Sequence, residues 1–339
     1  MTHFKKTLLL GAAAITLMSA SAPVMAADLA CLITKNNTNP FFVKMKEGAE
    51  AAATAAGLDF KAYAGEKDGD ASPQLTAIEN CVLAGAKGIL ITPSNDSVGP
   101  LLKEARDAGV LVIALDTPLA DPEAQDMTFA TDNFEAGLLI GKWAAATLGD
   151  AAADAKIGML DINKDNISVD VARDTGFLVG FGIDVPDLTV MGSETDPRVI
   201  GHEISGANPE GGVMSVENLL AKEPDMNVVY TINEPAAEGA YQALTKAGKS
   251  DVLVVSVDGG CPGIASVKAG VIGATSQQYP LLMASKGIEA IVAYAKDGTK
   301  PVASEGLSFF NTGVNLVTDN PVEGVPSINS DKGMELCWG

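Results

Sequence analysis

Short apolar runs alternate with longer amphipathic stretches along most of this chain, and that alternation limits the fold more than any other feature. The clearest runs are "LACLIT" (29–34), "KGILIT" (87–92), "VLVIALD" (110–116), "KIGML" (156–160), "NVVYTI" (227–232) and "VLVVSVD" (252–258). They are β-branched and apolar on successive residues, as strands covered on both faces must be. Between them lie helical patterns. In 40–56, Phe42, Met45, Ala49, Ala52 and Ala56 recur at three- and four-residue steps and form one apolar stripe, which Gly57 can end. Residues 98–108, 133–148, 211–222, 234–247 and 280–297 read the same way. Strand–helix–strand repetition implies parallel sheets with helices on both faces. The chain has 339 residues, more than one core usually holds. Four or five such units precede residue 130 and a similar series follows, so the expectation is two doubly wound, Rossmann-like α/β lobes. "FATDN" (129–133) is short, lacks Gly and Pro, and reads as a strand passing between them.

The first 26 residues stand outside that pattern. Lys5 and Lys6 precede an apolar run over 7–18, and "VMA" (24–26) supplies an A-x-A-like end. This reads as an export signal cleaved after Ala26. The run is shorter than the ~20 residues a membrane span needs. Removing this segment removes two lysines and no acid, so the mature charge is 21 − 43 = −22. A surface this acidic repels phosphate backbones and anionic lipids, so nucleic acid is not an expected partner. One histidine remains, His202, which rules out a His-rich metal site and leaves a Ser-His-Asp arrangement one possible base. Cys31, Cys81, Cys261 and Cys337 form an even set in an exported chain and suggest two disulfides, with three pairings open.

In an open parallel sheet, ligands bind beyond the carboxyl ends of the strands. Those ends carry Asp116, Asn233 and Asp258, the last followed by Gly259 and Gly260. The first strand leads into "NNTNPFF" (36–42), where Asn39 and Pro40 look like a helix start. Any one of these residues alone reads as a helix cap. Gathered in one cleft, they suit a neutral polyol. Carboxylates and amides pair with hydroxyls, an arginine gives a rigid fork of donors, and aromatic faces cover the C–H faces of a sugar ring. Phe41 is expected to face the cleft, with Phe42 divided between cleft and core. "DINKDNISVD" (161–170) has calcium-loop spacing at Asp161, Asn163 and Asp165, but it lacks the sixth-position Gly and has Ala172 at the twelfth position. It reads as a cleft loop. No G-x-G-x-x-G follows the first strand, so no dinucleotide cofactor is implied. Asp116 and Asp258 as an acid/base pair carry little weight in so acidic a chain.

Taken with the leader and the two lobes, "TNPFFVKMKEGA", "VIALDTPL", "FATDN", "INEPAA", "VSVDGGCPG", "GATSQQYPL" and the terminal "CWG" resemble the periplasmic sugar-binding proteins of ABC importers. The resemblance is to the ribose-binding type, closest to its fructose-binding members, and covers essentially the whole mature chain. It implies a non-catalytic receptor with the hinged type I fold. The first lobe would comprise 27–130 and 279–313, and the second 131–278 and 314–339, with crossings near 130–133, 276–280 and 312–316. It implies sugar contacts from Asn39, Phe41, Phe42, Asp116, Arg173 (in "ARDTGF"), Asn233, Asp258 and Gln278, with Lys35 and Asn208 as secondary candidates. It further implies D-fructose as ligand, a membrane permease as partner, no cofactor or metal, a periplasmic location and a monomer. Thr117 stands where ribose binders have arginine, and 183–206 is an insertion relative to them. With the tail finishing on the second lobe, the pairings expected are Cys31–Cys81 and Cys261–Cys337. An exported enzyme and a DNA-binding regulator are the competing classes. The charge and the missing helix-turn-helix head argue against the regulator.

Overall fold

The computed structural model describes residues 1–2, 27–67 and 69–339. Most of the expected export signal, 3–26, lies outside the described residues.

The first sheet takes its strands from β1 (Leu29–Thr34), β2 (Asp59–Ala64), β3 (Gly88–Ile91), β4 (Leu111–Leu115) and β5 (Met127–Ala130), with a short return strand, β11 (Phe310–Asn311). Their order is β11-β5-β4-β3-β1-β2, and all pairs are parallel. The second sheet contains β6 (Ile157–Asp161), β7 (Val199–Ile204), β8 (Val228–Thr231), β9 (Leu253–Asp258), β10 (Ala274–Gln277) and β12 (Asn315–Val317). Its order, β12-β10-β9-β8-β6-β7, repeats the first, except that β12 runs antiparallel to β10. The central strands are buried along their whole length, as their uninterrupted apolar runs require.

The helices are α1 (Pro40–Ala56), α2 (Ser72–Leu83), α3 (Gly99–Asp107), α4 (Asn133–Leu148), α5 (Ser168–Phe181), α6 (Pro209–Lys222), α7 (Glu234–Lys246), α8 (Cys261–Lys268), α9 (Pro280–Asp297) and α10 (Ser330–Leu336). The α1 stripe buries Phe42, Met45 and Ala49 in the first-lobe core, and Gly57 ends the helix at φ 71°. The chain leaves the first sheet after β5 and returns between β10 and α9. It leaves again between β11 and β12. "FATDN" therefore ends β5 with Phe129 and Ala130 and then crosses, with Asp132 capping α4.

Both disulfides lie within single lobes. Cys31–Cys81 joins β1 to α2, and Cys261–Cys337 joins the start of α8 to the tail beyond α10. Five strands carry no continuous apolar run and were not expected: the edge strands β2 and β7, the polar β10, and the short β11 and β12. Edge strands face solvent on one side, and β2 and β7 are half-exposed along their length. Among the described residues, no helix is long and apolar enough to cross a membrane.

Candidate functional site

The carboxyl ends of the two sheets face each other across a narrow cavity of about 40 Å³. Asn39, Phe41, Phe42, Asp116, Arg173, Asn233, Asp258 and Gln278 all line it, and so does the buried Lys35.

Two aspartates hold matching places, one after β4 and one at the end of β9. Both have backbone conformations that L-residues rarely adopt, Asp116 at φ 64° and Asp258 at φ 134°. Such positions persist only where the surroundings enforce them, and they cluster at functional sites. Asp116 accepts a hydrogen bond from the Thr117 hydroxyl at 2.8 Å. Asp258 accepts from Nε2 of Gln278 at 2.7 Å, while the Gln278 amide donates to the Asp258 carbonyl at 2.9 Å. Oε1 of Gln278 is buried without a hydrogen-bond partner in the protein.

Arg173 lies between the aspartates, 4% exposed. Its Nε donates to Oδ1 of Asn133 at 2.7 Å and its Nη1 to the Ile232 carbonyl at 3.1 Å. Of the five guanidinium N–H donors, these two bonds leave three for the cavity. The guanidinium stands 3.8 Å from Asp116 and 3.7 Å from Asp258. Those separations are too long for direct hydrogen bonds and leave both charges available to a third group. A surface ion pair with Asp170 or Asp174 is ruled out by this burial. Asp170 instead accepts from the Ile162 amide at 2.7 Å.

The turn behind Asp258 is fixed by Glu234. Its carboxylate accepts from the Gly259 and Gly260 amides at 2.8 and 3.0 Å, and from the Thr275 hydroxyl at 2.9 Å. It occupies the space where a Cβ on Gly263 would lie, 1.8 Å from Cδ. Burial, then the neighbouring Asp258 charge, pushes Glu234 up to about 8. Burial likewise pushes Asp258 up to about 7, with Arg173 and the Gln278 hydrogen bond opposing the shift.

The asparagine-rich turn is built by Asn36, whose Oδ1 accepts from the amides of Thr38 and Asn39. Asn39 caps α1 by accepting from the Phe41 amide at 3.0 Å. Asn233 caps α7 through the Ala236 amide and donates to the Ala207 carbonyl. For both residues, capping and facing the cavity coexist. Asn208 differs: it caps α6, donates to the Gly206 carbonyl, and does not line the cavity. Its amide is already used by the helix start.

Phe41 lines the cavity but is also packed in the first-lobe core. It makes edge-to-face contacts with Phe42 and Trp338, each at 5.4 Å. Phe41 therefore faces the cavity as expected and is in addition a core residue, with Trp338 closing over it. Sequence reasoning also missed Asn133, the first helical residue after "FATD", which orients Arg173. The apolar wall from Ile162, Val169 and Ile232 was missed too, since nothing in periodicity marks a strand-end isoleucine as ligand-facing.

A family model described as periplasmic binding protein domain matches residues 30–300. The chain belongs to the periplasmic binding protein family. The ribose import binding protein of Escherichia coli is 30% identical over 288 residues, covering 85% of this chain and 91% of the relative. The D-allose-binding periplasmic protein of the same species is 27% identical over 293 residues, 83% of this chain and 89% of the relative. A solved solute-binding protein of Agrobacterium radiobacter, in complex with D-arabinose, superposes with a TM-score of 0.75 at 23% identity, over 93% of this chain and all of the other. As a member of this family the chain is a binding protein and not an enzyme.

Proposed function

We propose that this protein is the sugar receptor of an ABC importer. It closes its lobes on one monosaccharide, D-fructose, and presents the closed form to a membrane permease from the periplasm. The observation that carries the reading is Arg173 held between Asp116 and Asp258, one aspartate from each lobe, with donors and acceptors left for hydroxyl groups. Hydroxyls are both donor and acceptor, so a polyol can bridge carboxylate and guanidinium where a simple anion or cation would serve only one. Phe41 and Phe42 supply the apolar face that a sugar ring needs. The relatives named as a ribose import binding protein and a D-allose-binding periplasmic protein support the sugar class.

The choice of a hexose over ribose rests on Thr117, and the choice of fructose among hexoses on the resemblance to fructose-binding sequences. The resemblance places an arginine at this position in ribose binders. A hydroxyl there bonds Asp116 and takes less space, which favours a hexose. Ribose, mannose or another hexose is the second reading. Lobe closure around a ligand is an established switching mode, and the three crossings between sheets supply the hinge.

Mass spectrometry of sugar released from freshly purified protein, followed by calorimetry with D-fructose, D-ribose, D-mannose and D-allose, tests the proposal. Fructose should bind at least tenfold tighter than the others, as one sugar per monomeric chain. Tighter binding of ribose would replace the ligand but keep the receptor. Binding of no sugar, or turnover of one, would remove the reading. Arg173→Ala should lose about 2 kcal/mol or more of affinity, because both aspartates would then lack their shared cation.

A further inference from the structure

Behind the sugar cavity, inside the second lobe, lies a cluster that sugar binding does not use. Asp161 ends β6, Asp174 projects from α5, His202 lies on β7, and Glu194 comes from the loop before it. Nδ1 of His202 is 2.9 Å from Oδ2 of Asp161 and 3.4 Å from Oδ2 of Asp174. Its Nε2 is 2.9 Å from Oε1 of Glu194. Asp174 is fully buried, and neither of its oxygens receives a hydrogen bond. Oδ1 of Asp161 and Oε2 of Glu194 are also buried without partners. Buried polar groups are normally satisfied, and a carboxylate with both oxygens bare and turned into a cluster calls for an explanation.

We propose that Asp161, Asp174 and Nδ1 of His202 bind a zinc-like divalent cation. Their ligand atoms all lie within 4.8 Å of one another. With zinc–ligand bonds near 2.0–2.2 Å, neighbouring tetrahedral ligands sit about 3.3–3.6 Å apart. The His202–Asp174 spacing of 3.4 Å already fits, and the His202–Asp161 spacing of 2.9 Å opens by about half an ångström. Glu194 accepts from the other ring nitrogen, the arrangement that fixes the tautomer of a metal-binding histidine. A mixed imidazole and carboxylate set suits zinc or a similar transition ion better than calcium.

Charge supports the same reading. Asp170 stands beside Asp161, so four carboxylates share this interior with one imidazole and the Arg173 guanidinium. A dication replaces the protons such a cluster otherwise needs. His202 is 20% exposed along its side chain, which gives an ion a path inward. The loop 182–198 has no helix or strand, yet delivers Glu194 to the ring. Loops of that length in compact domains usually serve a function.

Zinc chloride titrated by calorimetry into EDTA-treated protein without a polyhistidine tag tests this, with calcium and magnesium chloride as comparison probes. We expect one saturable zinc per chain and a melting temperature higher in zinc than in EDTA. Asp174→Asn should weaken zinc binding at least tenfold. The substitution is nearly isosteric, and its melting temperature in EDTA, compared with wild type, checks that it folds. Cobalt(II) in place of zinc should give visible ligand-field bands that His202→Gln abolishes. Absence of saturable zinc binding, equal binding in wild type and both variants, or preference for calcium would each overturn the proposal.

Discussion

Arg173 is held in place by protein groups before any ligand is considered. Asn133 and the Ile232 carbonyl fix two sides of the guanidinium, so ordering it on binding costs little. Asp258 carries a different consequence. Its folded pKa lies near 7, above the ordinary carboxylate value, because burial disfavours the charge. The folded state therefore binds its proton more tightly than the unfolded state does. Stability from this group is greatest below about pH 4 and falls as pH rises towards about 7. Asp258→Asn, measured without sugar, should show a flatter melting temperature between pH 4.5 and 7.5 than wild type; an identical slope would exclude this role. Phe41→Ala should lose stability by ~3–5 kcal/mol as well as affinity, because the ring is core and cavity wall at once. A melting temperature unchanged from wild type would show that the Trp338 contact contributes nothing. The strand-end aspartates were legible in the sequence because position in a parallel sheet predicts the cleft. The double role of Phe41 was not, since its packing partner lies 297 residues away at the end of the chain.

At the scale of elements, α4 and α5 approach backbone to backbone. A Cβ on Gly137 would lie 2.0 Å from the Arg173 carbonyl, and one on Gly141 would lie 2.1 Å from the Phe177 carbonyl. Gly176 and Gly180 of α5 meet the Phe134 and Leu138 carbonyls in the same way. Two glycines spaced by four on each helix thus set the height at which α5 presents Arg173. Gly137→Ala should push α5 outward, lowering stability by about 1–3 kcal/mol. Its distinguishing effect is on sugar: affinity should fall further than in an equally destabilised variant remote from α5, measured by calorimetry at a temperature where both are folded. Equal affinities would mean that α5 relaxes without moving Arg173. Most central strands and six of the helices, α1, α3, α4, α6, α7 and α9, were readable from periodicity, because burial on both faces leaves continuous apolar runs; β10, α2 and the Arg173-bearing α5 were not. β2 and β7 were not, because an edge strand mixes polar and apolar residues as a loop does. β7 is also the strand that brings His202 to its carboxylates, so the second-lobe cluster stayed hidden with it.

Across the whole molecule, the tail does more than finish the second lobe. Cys337 is bonded to Cys261, and the Trp338 carbonyl accepts from the Cys261 amide at 2.8 Å, so the last turn is anchored on α8. The Trp338 indole nevertheless crosses to the first lobe, meets Phe41 edge to face, and donates to the Gln278 carbonyl at the crossing before α9. The second disulfide therefore holds one lobe together while placing an aromatic group on the junction with the other. An aromatic pair of this kind contributes about 0.5–1.5 kcal/mol, enough to bias closure without locking it. The sequence has two tryptophans, which makes this contact observable. Trp143 is 1% exposed in the second-lobe core, with its indole bonded to the Asn320 carbonyl, and relative lobe motion leaves its surroundings unchanged. Under the proposed closure, Trp338 would change neighbours as the lobes part. Adding sugar should therefore change the intrinsic fluorescence in wild type and in Trp143→Phe alike. In Trp338→Phe the change should disappear while calorimetry still detects binding. A signal that survives in Trp338→Phe and vanishes in Trp143→Phe would place the motion inside the second lobe and not at the junction between lobes.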